Sequence, residues 1–173
     1  MYDASKSTKI LIVEDAITIQ QVLSFFLRHH GFEVLGVSDG REAMRVIPEF
    51  APHLIVLDIL MKPVSGWDVL HWLRTNRLIP QIPVLVISAL VDLTEQMHGL
   101  EEGAFDYITK PAQPSVIVER VDLLLSLSSE QRLMLQHKRI DEQRKVLKRV
   151  YSVQTDEFVY EAMPSGFGFC TDE

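Results

Sequence analysis

Apolar residues fall along this chain in two alternating patterns. Short, largely apolar runs, Lys9-Ile10-Leu11-Ile12-Val13, Phe32 to Val37, His53 to Met61, Val84-Leu85-Val86-Ile87 and Phe105 to Ile108, predict strands, His53 to Met61 one buried on both faces and Val84 to Ile87 another buried one. Between them apolar residues recur every three or four positions, as an amphipathic helix requires. Ile17 to His30 places Ile19, Val22, Leu23, Phe26 and Leu27 on one side, with Gly31 as the stop. Ser38-Asp39-Gly40 caps a helix running to about Phe50, which Pro52 ends. Trp67 to Asn76 offers Trp67, Leu70 and Leu73 or Trp72 to a core, Thr94 to Glu102 stops at Gly103, and Pro114 opens a helix to about Leu127 buried through Ile117, Val121, Leu124 and Leu125. Strand and helix thus alternate five times over residues 9–127. Right-handed crossovers then give an α/β fold, a doubly wound five-stranded parallel sheet with order 2-1-3-4-5.

The remaining residues follow a different pattern. Ser128 and Gln131 form a capping-box pair ahead of a helix over residues 130–151, either a fresh helix or a kinked continuation. Leu133, Ile140 and Leu147 recur every seven residues, and Val150 extends the stripe, but Gln136 and Gln143 occupy partnering positions. Two readings stay open for residues 128–151: a two-stranded coiled coil or linker, and a helix packed on its own domain. Residues 152–173 mix acids with Phe158, Tyr160, Phe167 and Phe169 and read as a mobile tail.

Charge sharpens these divisions. The net charge of −7 splits into −6 over residues 1–129 (sixteen acids, ten bases), +4 over 130–151 (three acids, seven bases) and −5 over 152–173 (five acids, no base). An acidic body argues against direct nucleic-acid binding, which needs clustered Lys and Arg. The single cysteine, Cys170, excludes an intramolecular disulfide framework, and no apolar run reaches transmembrane length. A cytoplasmic protein with no membrane contact is expected.

In the expected topology, the carboxyl edges of four strands converge on one crevice, where open α/β sheets bind ligands. Each edge brings a polar group: Glu14 and Asp15, Asp58, Ser88, and Lys110. Three clustered carboxylates repel unless a cation lies among them, and an oxygen-only set suits Mg²⁺. Lys110 can hold an anion beside the metal. Metal, lysine and hydroxyl around one carboxylate would stabilise a phosphoryl group being transferred to it.

These residues, in this order and spacing, resemble the receiver domain of two-component response regulators, whose fold is flavodoxin-like. The match rests on the acid pair after strand one, Asp58 ending strand three, Gly66 eight residues on, the hydroxyl residue closing strand four, and Gly103-Ala104-Phe105-Asp106-Tyr107-Ile108-Thr109-Lys110-Pro111. The resemblance implies that Asp58 is the phospho-acceptor and that Asp15 and Asp58 ligate Mg²⁺ directly, Glu14 through water and Leu60 through its carbonyl. It implies that Lys110 contacts the phosphoryl oxygens, that Ser88 swings to hydrogen-bond them, that Tyr107 turns inward behind it, and that Lys110-Pro111 is cis. Two departures stand out: Lys62 replaces the usual proline four residues after the acceptor, with Pro63 next, and Ala112 replaces a bulky residue. Leu60 and Leu90, at positions that influence loss of the phosphoryl group, cannot orient a water, so slow self-dephosphorylation is expected.

The expected function is that of a response-regulator receiver. Asp58 accepts a phosphoryl group from a sensor histidine kinase, a phosphotransfer protein or a small phosphodonor, and the chain then switches partner binding or homodimerisation through its fourth helix, fifth strand and fifth helix. It would catalyse only its own phosphorylation and dephosphorylation. The alternatives are a phosphorylation-independent dimerisation module and the regulatory fragment of a larger signalling protein such as a diguanylate cyclase or phosphatase.

Overall fold

The structure is a computed structural model and describes residues 7–89 and 92–161, with side chains through Val150. Five strands, β1 (Lys9–Val13), β2 (Glu33–Val37), β3 (Leu54–Asp58), β4 (Val84–Ser88) and β5 (Asp106–Thr109), pair in parallel in the order β2-β1-β3-β4-β5. This is the predicted topology. The intervening helices are α1 (Ile17–His29), α2 (Gly40–Phe50), α3 (Gly66–Thr75), α4 (Leu93–Glu102) and α5 (Pro114–Ser126).

Strand alternation divides the core into two layers, because successive side chains point to opposite faces. Leu11, Val13, Ile55, Leu57, Val84 and Val86 pack with Ala43 and Ile47 of α2 and with Val69, Leu70 and Leu73 of α3. Ile10, Ile12, Leu54, Val56, Leu85 and Ile87 pack on the other face with Leu23 and Leu27 of α1 and Ile117, Val121 and Leu124 of α5. Both faces are covered, which explains why the strands read as continuous apolar runs.

Several local expectations change. α1 buries only Leu23 and Leu27 of its predicted face; Ile19, Val22 and Phe26 stay 37–42% exposed. A helix at the flank of a sheet turns a narrow stripe to the core, and its other apolar positions face outward. In α3, Val69 joins Leu70 and Leu73 in the core, while both tryptophans are only partly buried.

Helix α6 (Ser129–Glu161) begins afresh: the Ser128 backbone N–H donates to Gln131 Oε1 (2.8 Å), and Gln131 N–H donates to Ser128 Oγ (3.2 Å). It continues past the expected end at residue 151, so part of the segment read as a mobile tail is helical; residues 162–173, with Cys170, lie outside the described residues. Within the chain, α6 lies along α4. Among the described residues no helix is long and apolar enough to cross a membrane.

Candidate functional site

Parallel pairing brings the ends of β1, β3, β4 and β5 to one edge, and the register sets Val13 beside Leu57, Asp58 beside Ile87, and Ser88 beside Thr109. Asp58 and Glu14 are buried, Asp15 is exposed, and Ser88 is fully buried. Asp58 is 3% exposed, with Lys110 against it. Lys110 Nζ donates to Glu14 Oε2 and to Asp58 Oδ2, each at 2.6 Å. One carboxylate oxygen from each of Glu14, Asp15 and Asp58 lies within 4.8 Å of the others.

The loops that hold these groups are tightly specified. Gln20 Nε2 donates to the carbonyls of Glu14 (3.1 Å) and Val37 (2.8 Å), fixing the turn after β1, while the Ala16 N–H donates to Glu14 Oε1 (3.3 Å). The Leu60 N–H donates to Asp58 Oδ1 (3.0 Å), which orients the carboxylate at the end of β3. Gly66 opens α3 against the same strand end. A Cβ there would stand 2.2 Å from the Asp58 carbonyl oxygen, so only glycine permits this approach. Ser65 and Asp68 complete the start of α3 as a capping box, whose hydrogen bonds from Ser65 hold Asp68 below the usual aspartate range.

Electrostatics explain why these charges tolerate one another. Burial pushes the Glu14 carboxyl above its ordinary value, and the charge on Asp58 adds to that push, while Lys110 opposes it. For Lys110 burial alone would disfavour the ammonium, but its bonds to Asp58 and Glu14 outweigh burial and raise its pKa. Three carboxylates against one ammonium leave an excess of two negative charges. That excess, on hard oxygen donors from two loops, fits a small divalent cation such as Mg²⁺.

Beyond the acids, Lys110 N–H donates to the Ser88 carbonyl (2.8 Å), and Lys110-Pro111 is cis, as the resemblance implied. Lys62-Pro63 is cis as well. The Tyr107 hydroxyl hydrogen-bonds the Ser88 side chain, so its ring is turned toward the site, and burial raises its pKa. Glu14, Asp15, Asp58, Ser88, Tyr107 and Lys110 are therefore brought together. Leu60 meets Asp58 through its backbone N–H, with its side chain 51% exposed over the crevice; Leu90 lies outside the described residues. Sequence reasoning missed Gln20, whose only signal was a polar residue one turn before Leu23 on the inward stripe of α1.

The comparisons agree with this geometry. The family model for the response regulator receiver domain matches residues 10–122. Relatives include ycf27 of Cyanophora paradoxa, 38% identical over 117 residues that cover 68% of this chain and 48% of the relative. The DNA-binding response regulator MtrA of Mycobacterium tuberculosis is 34% identical over 113 residues, covering 65% of this chain and 48% of MtrA. The chain thus spans about half the length of the curated relatives it matches. Among solved structures, the Francisella response regulator 1452 receiver domain superposes with a TM-score of 0.65 at 30% identity, covering 69% of this chain and 97% of that one. The BeF3-activated DrrB receiver domain gives a TM-score of 0.64 at 29% identity, with 70% and 100% covered.

Proposed function

The chain belongs to the receiver-domain family of response regulators, and on that premise we propose that it acts as a phosphorylation switch over residues 9–127, with Asp58 as the phospho-acceptor. The observation that carries this reading is Lys110 Nζ, bonded at 2.6 Å to both buried carboxylates of the crevice. It supports an acidic oxygen set where an incoming phosphoryl group would meet a cation.

A carboxylate oxygen of Asp58 attacks phosphorus, the bond from phosphorus to the donor's nitrogen or oxygen breaks with its electron pair leaving on the donor, and an acyl phosphate forms. Negative charge spreads over the equatorial oxygens in such a transfer. Lys110 would neutralise part of it once its bond to Asp58 is exchanged for a phosphoryl oxygen, and Ser88 would donate its hydroxyl. Asp15 and Asp58, with Glu14 through water and the Leu60 carbonyl, would hold Mg²⁺, which supplies charge neutralisation to the transfer when bound.

The donor partner is a histidine kinase, a phosphotransfer protein or a small phosphodonor. A macromolecular donor would dock beside the crevice, on the exposed apolar flank of α1. There an open cavity of about 520 Å³, lined by Ile19, Val22, Ile87, Lys110, Pro111 and Ile117, adjoins the site lysine. The chain is regulatory in this reading, catalysing only its own loading and unloading. Incubation with acetyl phosphate and Mg²⁺ followed by intact mass tests it. One added phosphoryl group on the wild type and none on Asp58→Asn is expected; equal modification of both would overturn the assignment.

A further inference from the structure

The face formed by α4 and β5 is already occupied in this molecule. Helix α6 lies on α4, docked by polar residues at helical spacing, Gln136, Arg139 and Gln143, beside the partly buried Leu133. Gln136 is buried, and its Nε2 donates to the carbonyls of Leu100 (2.9 Å) and Ala104 (2.8 Å), at and just beyond the C-terminal end of α4. The Leu100 carbonyl also accepts from the capping Gly103 N–H (3.2 Å), so Gln136 adds a second bond at the end of α4 from another helix. Gln143 Nε2 donates to Gln96 Oε1 (3.2 Å), Arg144 pairs with Glu101 (2.8 Å), and Arg139 pairs with the buried Asp106. The basic stretch over 130–151 therefore sits on the acidic body by charge complementarity.

These contacts end one residue from the site. Asp106, held by Arg139 and by Arg120 (3.3 Å), and Tyr107, bonded to Ser88, are neighbours on β5. Between α4, β5, α5 and α6 lies a cavity of about 320 Å³, lined by Gln96, Leu100, Tyr107, Arg139 and Gln143 among others. Tyr107, bonded to Ser88 on one side, lines this cavity together with Arg139 and Gln143, the side chains that hold the helix, so a change in the position of its ring changes the seat of α6. The docked helix and the site-facing tyrosine are thus two parts of one arrangement.

We propose that α6 is an intramolecular latch whose docking on α4 and β5 is coupled to the state of Asp58, so that a phosphoryl group on Asp58 tightens α6 onto the domain. The inference rests on the phospho-acceptor reading. A Ser88 hydroxyl donated to the phosphoryl group still has lone pairs to accept from Tyr107, which keeps the ring at the site and the latch seat open. Buried polar pairs lose their value when alignment is lost, so small shifts of α4 or β5 change docking sharply. Coupling is reciprocal: whatever factor phosphorylation adds to docking, docking adds to binding at Asp58.

The test uses the full chain with Mg²⁺ and beryllofluoride, a stable mimic of the phosphoryl group. Complex formation is followed by fluorine NMR, and hydrogen exchange is read over residues 129–150. Beryllofluoride should slow exchange in α6 about fivefold or more, and Gln136→Ala and Arg139→Gln should each weaken beryllofluoride binding, toward a similar factor. Lys138→Ala, on the solvent side of α6, should do neither. Arg139→Gln leaves Asp106 paired with Arg120, so that variant keeps the fold. If the complex forms while exchange in α6 is unchanged or faster, or if both variants bind like the wild type, the latch is overturned. Absence of any complex in the wild type would instead overturn the phospho-acceptor reading, and the latch with it.

Discussion

Replacing Lys110 by methionine probes the electrostatic core of the site. The substitution keeps the length of the side chain and removes the ammonium that bonds both Glu14 and Asp58. Those two carboxylates are 1% and 5% exposed, and the lysine 19%, so the pairs are buried enough to escape most solvent screening. Removing one partner of a buried pair costs about 3–5 kcal/mol, because the remaining charge is left uncompensated. For a chain of this size that corresponds to a fall of roughly 6–20 °C in Tm. Mg²⁺ held by the native acids and not by the unfolded chain would restore much of the loss, and the variant should then gain more from Mg²⁺ than the wild type does. Thermal and urea denaturation at neutral pH, with and without Mg²⁺, measure both quantities. A variant as stable as the wild type without metal, and no more responsive to Mg²⁺, would refute the idea that Lys110 neutralises these acids.

Other outcomes follow from neighbouring features. Gly66→Ala forces a Cβ to within 2.2 Å of the Asp58 carbonyl oxygen, so the strand end must shift; we expect about 1–3 kcal/mol of destabilisation and slower loading by acetyl phosphate, read by urea midpoint and intact mass. Leu60 offers no group to orient water above Asp58, so phospho-Asp58 should persist for minutes or longer in Mg²⁺, and Leu60→Glu should speed its loss about tenfold or more, followed by the decay of the phosphorylated mass. Asp68→Asn should cost about 1 kcal/mol at neutral pH by weakening the cap of α3. Because the folded-state pKa of Asp68 is lowered, its contribution is present above the ordinary value of 3.8 and is lost as pH falls through the lowered one. The difference between Asp68→Asn and the wild type should therefore shrink in urea titrations below that value.

What was legible in the sequence is the part governed by local pattern. The five strands read correctly because a sheet covered on both faces demands largely apolar runs. Asp58, Ser88 and Lys110 stood out because they interrupt or follow such runs, and the structure puts them at the same sheet edge. What stayed hidden depends on pairing across distance. Gln136 and Gln143 looked like flaws in a heptad stripe of Leu133, Ile140 and Leu147, yet they anchor α6 to α4, since their partners are carbonyls and an amide far away in sequence. Likewise Ile19, Val22 and Phe26 fit a helical face by spacing, but α1 meets the sheet along Leu23 and Leu27 and leaves them exposed beside the crevice. Periodicity fixes which residues share a face, and packing decides how wide a part of that face is covered.

The central claim is that one carboxylate, Asp58, receives the phosphoryl group. Borohydride reduces an acyl phosphate to an alcohol and leaves free carboxylates alone, so treating the acetyl phosphate-loaded chain and mapping its peptides by mass reports the modified residue directly. Homoserine at position 58 alone is the predicted result; reduction at Glu14, Asp15 or any other acid, with Asp58 intact, would contradict it.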